Sequence, residues 1–400
     1  MFVEHLSLTD FRSYVRAEVP MSPGVNTFVG SNGQGKTNLV EAVEYLSSLS
    51  SHRVNQDAPL IRMGADQAVI RGRVRAGTDD ARALLLELEI NSHRANRARI
   101  NRAPMPRTRD LLGVLRCVVF SPNDLAIVRG DPADRRTFLD GLVITRWPRM
   151  AGVKADYERV LRQRNALLKS LSGRGATAGE EIGATLEIWD DQLATIGAEL
   201  LSARLDTLTA VMPLASGAYR EIAPVNDIAT ADYRASIDLS DLWEPTSQEP
   251  ASPDDAGRPG VDRSRLHERF LDALAARRRD ELVRGVTLVG PHRDDIVLSV
   301  GEMPAKGYAS HGESWSLALA LRLASFQLLR ADGVEPVLVL DDVFSELDST
   351  RRDRLAVSVI EADQVLVTAA VGTDVPDRLA GRRFHVGGGD VRPVQEDGDD

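Results

Sequence analysis

A chain of 400 residues is long for one hydrophobic core, so two or three domains or lobes are expected. Its 43% apolar and 27% charged content is that of an ordinary globular protein. The lone cysteine excludes an internal disulfide framework, and no apolar run approaches the roughly 18 residues of a membrane span. Without the apolar h-region of a signal peptide, the expected location is the cytosol. The net charge of −10 conceals an asymmetry. Residues 1–150 carry 21 Lys+Arg against 16 Asp+Glu, a net of +5, which leaves −15 for the rest.

The chain opens with an alternating run, Phe2 to Leu8, which turns at Asp10-Phe11-Arg12-Ser13-Tyr14. Pro20 and Pro23-Gly24 then break the pattern, so two antiparallel strands are expected to feed a third, Val25 to Val29. Arg12 on the turn either reaches a nucleotide or is a surface charge. The third strand leads into Gly30-Ser31-Asn32-Gly33-Gln34-Gly35-Lys36-Thr37, and a helix-patterned run, Asn38 to Leu46, leads out. This is the G-x-x-x-x-G-K-[ST] phosphate loop in strand–loop–helix context. Its glycines let backbone N–H groups turn around an anion, and the helix N-terminus adds free N–H groups and the positive dipole end. Lys36 supplies a compact charge for β/γ-phosphates and Thr37 a hydroxyl for Mg²⁺. Only four residues are Lys against 45 Arg, and one of the four stands here.

Strands are expected at 68–74, 83–90 and 98–101, with a hairpin turn at Asn101-Arg102. The stretch Arg94 to Arg116 contains seven arginines and one acid, Asp110. It is either a phosphate-binding stripe or a solvated strand and loop. Cys117 lies in the apolar run Val114 to Phe120 and is expected to be a buried, inert thiol. Asp131 before Pro132 predicts a helix N-cap with proline in the first turn.

The middle of the chain is helical in pattern. Apolar residues recur from 153 to 171, and between 182 and 200 they alternate at four–three spacing, the seam of a coiled coil. Pro213 and Gly217 are expected to end that pattern, and a third helix is expected over 265–283. Between them, the proline-rich run 244–262 predicts a flexible loop.

Strand signals return at 286–289 and 296–300, flanking Gly290-Pro291-His292-Arg293-Asp294-Asp295. A polar turn, Ser310-His311-Gly312-Glu313, opens a helix expected from Trp315 to Arg330. Val337-Leu338-Val339-Leu340-Asp341-Asp342 then reads as a buried strand delivering two carboxylates to its C-terminal edge. Beside a phosphate loop, Asp341 would hold Mg²⁺ and Asp342 would orient or deprotonate an attacking water. A helix (351–362) and a last core strand, Gln364 to Thr368, follow, and the end is read as frayed and acidic. Phosphate loop and acidic strand stand about 300 residues apart, so a helical insertion between two co-folding half-cores is expected.

The phosphate loop, the Ser310 turn, the segment Leu340 to Asp348 and the inserted helices together resemble an SMC-like ABC ATPase head. More narrowly, four stretches resemble the RecF family of bacterial DNA-repair proteins: Leu8 to Tyr14, Phe120 to Leu125, Gly290 to Asp294 and Asp341 to Asp348. The fold so implied is α/β and α+β, an ABC-type P-loop ATPase head split by a short coiled-coil-like arm. Residues 1–148 and 285–390 would be the two halves of the head, 149–284 the arm, and 391–400 an acidic tail. The resemblance implies ATP and Mg²⁺ as cofactors, with Gly30 to Thr37 binding nucleotide and Thr37 and Asp341 holding the metal. Lys36, Asp341 and Asp342 would carry hydrolysis. Ser310 and Gly312 match the ABC signature turn, which meets the γ-phosphate held by the partner subunit.

What the resemblance implies further is an ATP-dependent homodimer that clamps DNA near single-strand gaps and helps load RecA through RecR, with RecO. Recombinational repair, replication restart and the SOS response are the implied setting. This sequence departs from ABC patterns in three places. Glu313 stands where the signature often has Gln, no His follows the last core strand, and Asp342 replaces the longer Glu. The last two predict slow hydrolysis, with ATP a gate more than a fuel. The lobe-linking Gln has no clear match, and Asn123 is the candidate for it. The alternative class, an SMC-type structural DNA-bridging ATPase, would need a longer arm than about 130 residues provide at ~1.5 Å per helical residue.

Overall fold

The computed structural model describes residues 1–77, 82–172, 180–223, 228–242 and 261–394, with the backbone alone over 180–184. Most of the proline-rich 244–262 run and the end of the acidic tail lie outside the described residues. The chain divides into two compact units, one of Met1–Leu125, Ala218–Asn226 and Ala318–Asp400, the other of Ala126–Gly217 and Asp227–Leu317. None of the helices is long and apolar enough to cross a membrane among the described residues.

The first unit contains two six-stranded sheets. One is antiparallel, in the order Tyr14–Pro20, Phe2–Phe11, Gln67–Arg75, Ala83–Asn91, Arg97–Ile100, Ala103–Pro104. Its hairpin turn at Asn101-Arg102 has φ 50° and 71°, the left-handed pair of a tight hairpin, as the sequence predicts. The second sheet runs Asp390–Pro393, Arg382–Gly387, Gly24–Val29, Gln364–Ala369, Val337–Asp341, Cys117–Phe120. All its neighbours are parallel except the terminal hairpin. Every residue of Val337–Asp341 and Gln364–Ala369 is buried, the continuous apolar pattern of strands covered on both faces. The helix Lys36–Ser48 places Leu39, Val40, Val43 and Leu46 in one core with residues of both sheets, including Leu8, Ile70, Phe28 and Leu366.

Five expectations need correction here. The third strand does not join the first two: Gly24–Val29 pairs with Gln364–Ala369 and Arg382–Gly387 in the other sheet. Gln364–Ala369 is not the last core strand either, because the hairpin Arg382–Gly387/Asp390–Pro393 follows it. The end is therefore ordered through Pro393, turning on Gly388 and Gly389 at φ 61° and 79°.

The helix expected to stop at Pro213 runs as one 43-residue segment, Glu180–Ile222. Proline removes one backbone donor and ordinarily costs about 3 kcal/mol inside a helix. Here the face beyond it, Ala215, Ala218, Tyr219 and Ile222, is buried and offsets that cost. In the first unit Arg354 Nη1 donates to the carbonyls of Glu221, Ile222 and Ala223 (2.8–3.4 Å), closing the helix C-terminus.

Residues 286–289 form no strand. Side chains take their backbone donors instead: Thr287 N–H donates to Asn165 Oδ1 and Leu288 N–H to Glu281 Oε1, both at 2.7 Å.

The second unit is built on helices Pro132–Arg146, Met150–Leu171 and Arg263–Arg284 with the long helix, beside a three-stranded antiparallel sheet centred on Asp295–Val300. Asp131 precedes the first of these, and its N–H donates to Asp134 Oδ2 at 2.7 Å. Of the expected coiled-coil seam, Leu186, Leu193 and Leu200 are buried. Two ion networks tie the helices. Arg164, fully buried, donates to Asp190 and Glu281 (2.7 Å each) and to Thr287 (2.8 Å). Arg204 donates to both oxygens of Asp140 (2.7 and 3.0 Å).

The Gly290 to Asp294 motif is part of this packing. Gly290 has φ 128°, and a Cβ there would stand 2.3 Å from the Tyr157 hydroxyl. Asp294 accepts from the Tyr233 hydroxyl (2.9 Å) and the Ser236 N–H (2.8 Å). Burial pushes its carboxyl up, against the opposing pull of Arg204.

Candidate nucleotide site

The first unit gathers the phosphate loop and the acidic strand at one end of the parallel sheet. Gly24–Val29 and Val337–Asp341 flank the same central strand, Gln364–Ala369, so residues 300 apart in sequence meet at its end. Gly30 sits against the terminal hairpin so closely that a Cβ would meet the Val386 carbonyl oxygen at 2.1 Å. Gly35, at φ 105°, caps the helix N-terminus, and a Cβ would meet the Tyr14 hydroxyl at 2.7 Å. That hydroxyl donates to the Gly35 carbonyl (3.1 Å). The loop is held from the other side by Gln34, whose Oε1 accepts from Gly388 N–H at 3.0 Å.

Lys36 is buried and donates to the Gly30 carbonyl (2.6 Å), the Ser31 carbonyl (3.1 Å) and Asn32 Oδ1 (3.4 Å). Burial lowers its pKa, and Asp342 and Asp341 oppose the shift. The Thr37 hydroxyl donates to Asp341 Oδ1 at 2.9 Å. The Thr368 hydroxyl donates to the same oxygen at 2.7 Å and accepts from the Asp342 N–H at 2.9 Å. Thr368 thus fixes both acids.

Asp342 has φ 55° and ψ 23°, a left-handed conformation that Asp tolerates better than most side chains. Burial raises its pKa, Asp341 adds to the rise, and Lys36 opposes it. A cavity of about 290 Å³ joins Asn32, Gly33, Lys36, Thr37 and Asp342 with Asn38 and Arg53.

Several further groups meet here. His52 lies in the loop after the phosphate-loop helix, its Nδ1 2.6 Å from Glu44 Oε2 and its Nε2 3.8 Å from Asp341 Oδ2. Burial alone would lower its pKa, but the Glu44 hydrogen bond and charge, then Asp341 and Glu41, raise it. Arg53 lines the cavity while donating to Asn38 (2.8 Å) and Glu41 (3.1 Å). Arg12 is not a surface charge: its Nε donates to the buried Glu41 at 2.9 Å, so the Asp10–Tyr14 turn braces the loop and its helix. Nothing in local sequence marks His52 or Arg53, because both act across the fold. Asn123 Nδ2 donates to the His52 carbonyl at 3.4 Å.

Ser310 and Gly312 belong to the second unit. Ser310 precedes the helix His311–Ala331, which begins four residues earlier than the sequence predicts. Its N–H donates to Glu313 Oε2 (2.7 Å) and its hydroxyl accepts from the Glu313 N–H (3.3 Å), a reciprocal capping box. That is a local reason for Glu at 313, and the hydrogen bonds to Ser310 lower its pKa. Arg129 fastens the turn through Ser314 Oγ (3.0 Å).

The seven arginines of 94–116 divide. Arg99 pairs with Glu87 and Glu89, and Arg71 with Glu87, a charge ladder across three strands. Arg97, Arg102 and Arg107 are exposed. Cys117 is half-buried, and burial pushes its thiol up, away from the reactive thiolate.

Three comparisons bear on this geometry. The family model for the RecF/RecN/SMC N terminal domain matches residues 2–375. The DNA replication and repair protein RecF of Cutibacterium acnes is 75% identical over 400 residues, the full length of both chains. That of Streptomyces avermitilis is 55% identical, over 98% of this chain and all of the relative. Among solved structures, the recombination mediator protein RecF-ATPrS in the RecFOR pathway superposes with TM-score 0.84 at 27% identity, over 98% of each chain. The Smc head domain of Pyrococcus furiosus, at TM-score 0.52 and 16% identity over 98% of this chain and 96% of its own, shares the fold. The sheets and phosphate loop are thus those of an SMC-type ABC ATPase head, and the chain belongs to the RecF family.

Proposed function

We propose that the chain is an ATP-gated DNA-binding protein of recombinational repair and replication restart. ATP closes a homodimer on DNA near single-strand gaps, and slow hydrolysis releases it. The observation that carries this reading is the meeting of Thr37, Asp341 and Thr368 at the end of the parallel sheet, with Lys36 and Asp342 on the same loop-lined cavity. The likeness to RecF proteins, including a solved RecF-ATP form at 26% identity, supports it.

Residues Gly30 to Thr37 cradle the phosphates. Lys36 exchanges its loop carbonyls for β/γ-phosphate oxygens, and Arg53 adds positive charge from the cavity lining. Among the described residues no group of three or more His, Cys, Asp or Glu could hold a metal. The Thr37 hydroxyl and Asp341 carboxylate, 2.9 Å apart, are hard oxygen donors and fit Mg²⁺, which takes one or two protein oxygens with substrate phosphates. When bound, Mg²⁺ would neutralise phosphate charge. Asp342 orients or deprotonates the attacking water, and its raised pKa suits proton acceptance. The absence of a His at the end of Gln364–Ala369 keeps turnover low, so by this reading the chain is a weak ATPase.

Residues 1–148 and 285–390 form the head by this reading and 149–284 the arm. Ser310 and Gly312 meet the γ-phosphate held by the second protomer. RecR with RecO, and through them RecA, are the protein partners, and the SOS response and the cytoplasm the setting. The exposed Arg97, Arg102 and Arg107 are the DNA contacts favoured within the stripe. Replacing all three with Glu should weaken DNA binding irrespective of sequence and flatten its salt slope.

Solution mass by light scattering tests the gate. The wild type doubles in mass with ATP and Mg²⁺, and Lys36→Met and Ser310→Arg do not. A wild type that stays monomeric with ATP bound removes the role given to Ser310.

A further inference from the structure

The second unit holds a cavity of about 220 Å³ that the nucleotide chemistry above does not use. It opens to solvent past the exposed Ala133 and Thr137. It lies where Pro132–Arg146, Met150–Leu171 and the long helix face the Gly290–Asp294 loop. Ala133 and Thr137, small residues one turn apart, keep it open. Leu161 and Leu200 form an apolar wall, and the rings of Tyr157 and His292 stand with centroids 6.0 Å apart.

The charged groups in the lining sort into engaged and spare. Arg204 is fully engaged, with Asp140, the Tyr233 hydroxyl (3.2 Å) and the Pro291 carbonyl (2.7 Å). His292 Nδ1 lies 2.8 Å from the Tyr157 hydroxyl and Nε2 3.2 Å from the Thr287 carbonyl, so both ring nitrogens are occupied. Burial holds its pKa down at about 4, and it contributes no charge at neutral pH.

Among the described residues Arg136 gives only Nη1, to the Asp294 carbonyl (2.7 Å), and Lys154 one donor to Glu158 (2.6 Å). A guanidinium has five donors and an ammonium three, so both cations keep donors for an anion. A planar fork and a point charge lining one cavity suit a phosphate, with the Glu158 carboxylate already paired to Lys154. The volume is below the roughly 300–1,000 Å³ of whole-ligand pockets, which limits the attached body to a sugar.

We infer that this cavity binds the sugar–phosphate portion of a nucleotide, with the phosphate on Arg136 and Lys154 and the pentose against Leu161, Leu200 and Tyr157. The portion comes from a free nucleotide or from a nucleic-acid strand. The inference goes beyond the ATP-gate reading and stands apart from it.

Calorimetry on the full chain carrying Lys36→Met, which disables the phosphate loop, tests it with ribose 5-phosphate. Saturable binding is expected. Arg136→Gln with Lys154→Gln should weaken it at least about tenfold, the loss of two charge-assisted contacts. Ala133→Leu, an exposed-position change that fills the cavity and keeps both charges, should weaken it as well. Competition by a single-stranded oligonucleotide assigns the strand as source, and competition by a mononucleotide alone assigns the free nucleotide. The assignment is overturned if none of the three probes binds, if both variants bind as the parent does, or if inorganic phosphate binds as tightly as ribose 5-phosphate.

Discussion

The two units handle buried charge in opposite ways. In the helical unit Arg164 meets Asp190, Glu281 and Thr287, and Arg204 meets Asp140, Tyr233 and the Pro291 carbonyl, so all three nitrogens of each guanidinium are held by groups from other elements. At the phosphate loop, Lys36 donates among the described residues only to loop carbonyls and Asn32, while Asp342 holds a raised pKa beside Asp341. Saturated charges fix how helices pack. Charges held by exchangeable backbone contacts are the ones a ligand can take over. The contrast is physical, since an uncompensated buried ion costs several kcal/mol and persists only where binding relieves it.

Removing one partner from the saturated network should have the largest effect. Arg164→Leu leaves the buried Glu281 without its cation and Asp190 with Arg278 alone, and should cost about 3–5 kcal/mol in urea unfolding. If the loss is under about 1 kcal/mol, the network is not what holds those helices.

Next comes Asp342→Asn, which should leave ATP binding near wild type and reduce single-turnover hydrolysis by about a hundredfold or more. Because the Asp342 pKa is raised above 3.8, the wild-type rate should climb with pH on a limb displaced above that value, and the variant should lose the limb. An unchanged rate would move the proton acceptor elsewhere.

The smallest effect concerns His292. Its folded pKa of about 4 lies below the unfolded 6.5, so between those values the unfolded chain binds more protons. Stability should therefore fall as pH drops from 6.5 to 4, by at most about 3 kcal/mol and less for its partial exposure. His292→Gln should flatten that part of the urea-midpoint profile, and a flat wild-type profile would contradict the burial argument.

Local signals were legible wherever chemistry is written in consecutive residues. The phosphate loop, the Leu340-Asp341-Asp342 strand end, the Asn101-Arg102 turn and the Asp131 cap could all be read directly. What escaped depends on partners distant in the chain. Pro213 forecasts a stop, and only the buried face beyond it keeps the helix going. Residues 286–289 have strand composition, yet Asn165 and Glu281 claim their N–H groups. His52 and Thr368 enter the site through Asp341, which lies 289 residues after one and 27 before the other. The helical unit's cavity leaves no trace in any local pattern.

The order of strands in the parallel sheet also sets a timetable for synthesis. Gly24–Val29 emerges early, but both its neighbours, Gln364–Ala369 and Arg382–Gly387, come from the last part of the chain. At roughly 5–20 residues per second the ribosome needs on the order of 20–70 s to supply them. Throughout that interval the phosphate-loop strand has two unpaired edges of apolar sequence, an invitation to wrong pairing. Assembly of the nucleotide site is thus post-translational by geometry: a prematurely terminated chain carries Lys36 and Thr37 without the carboxylates that complete them.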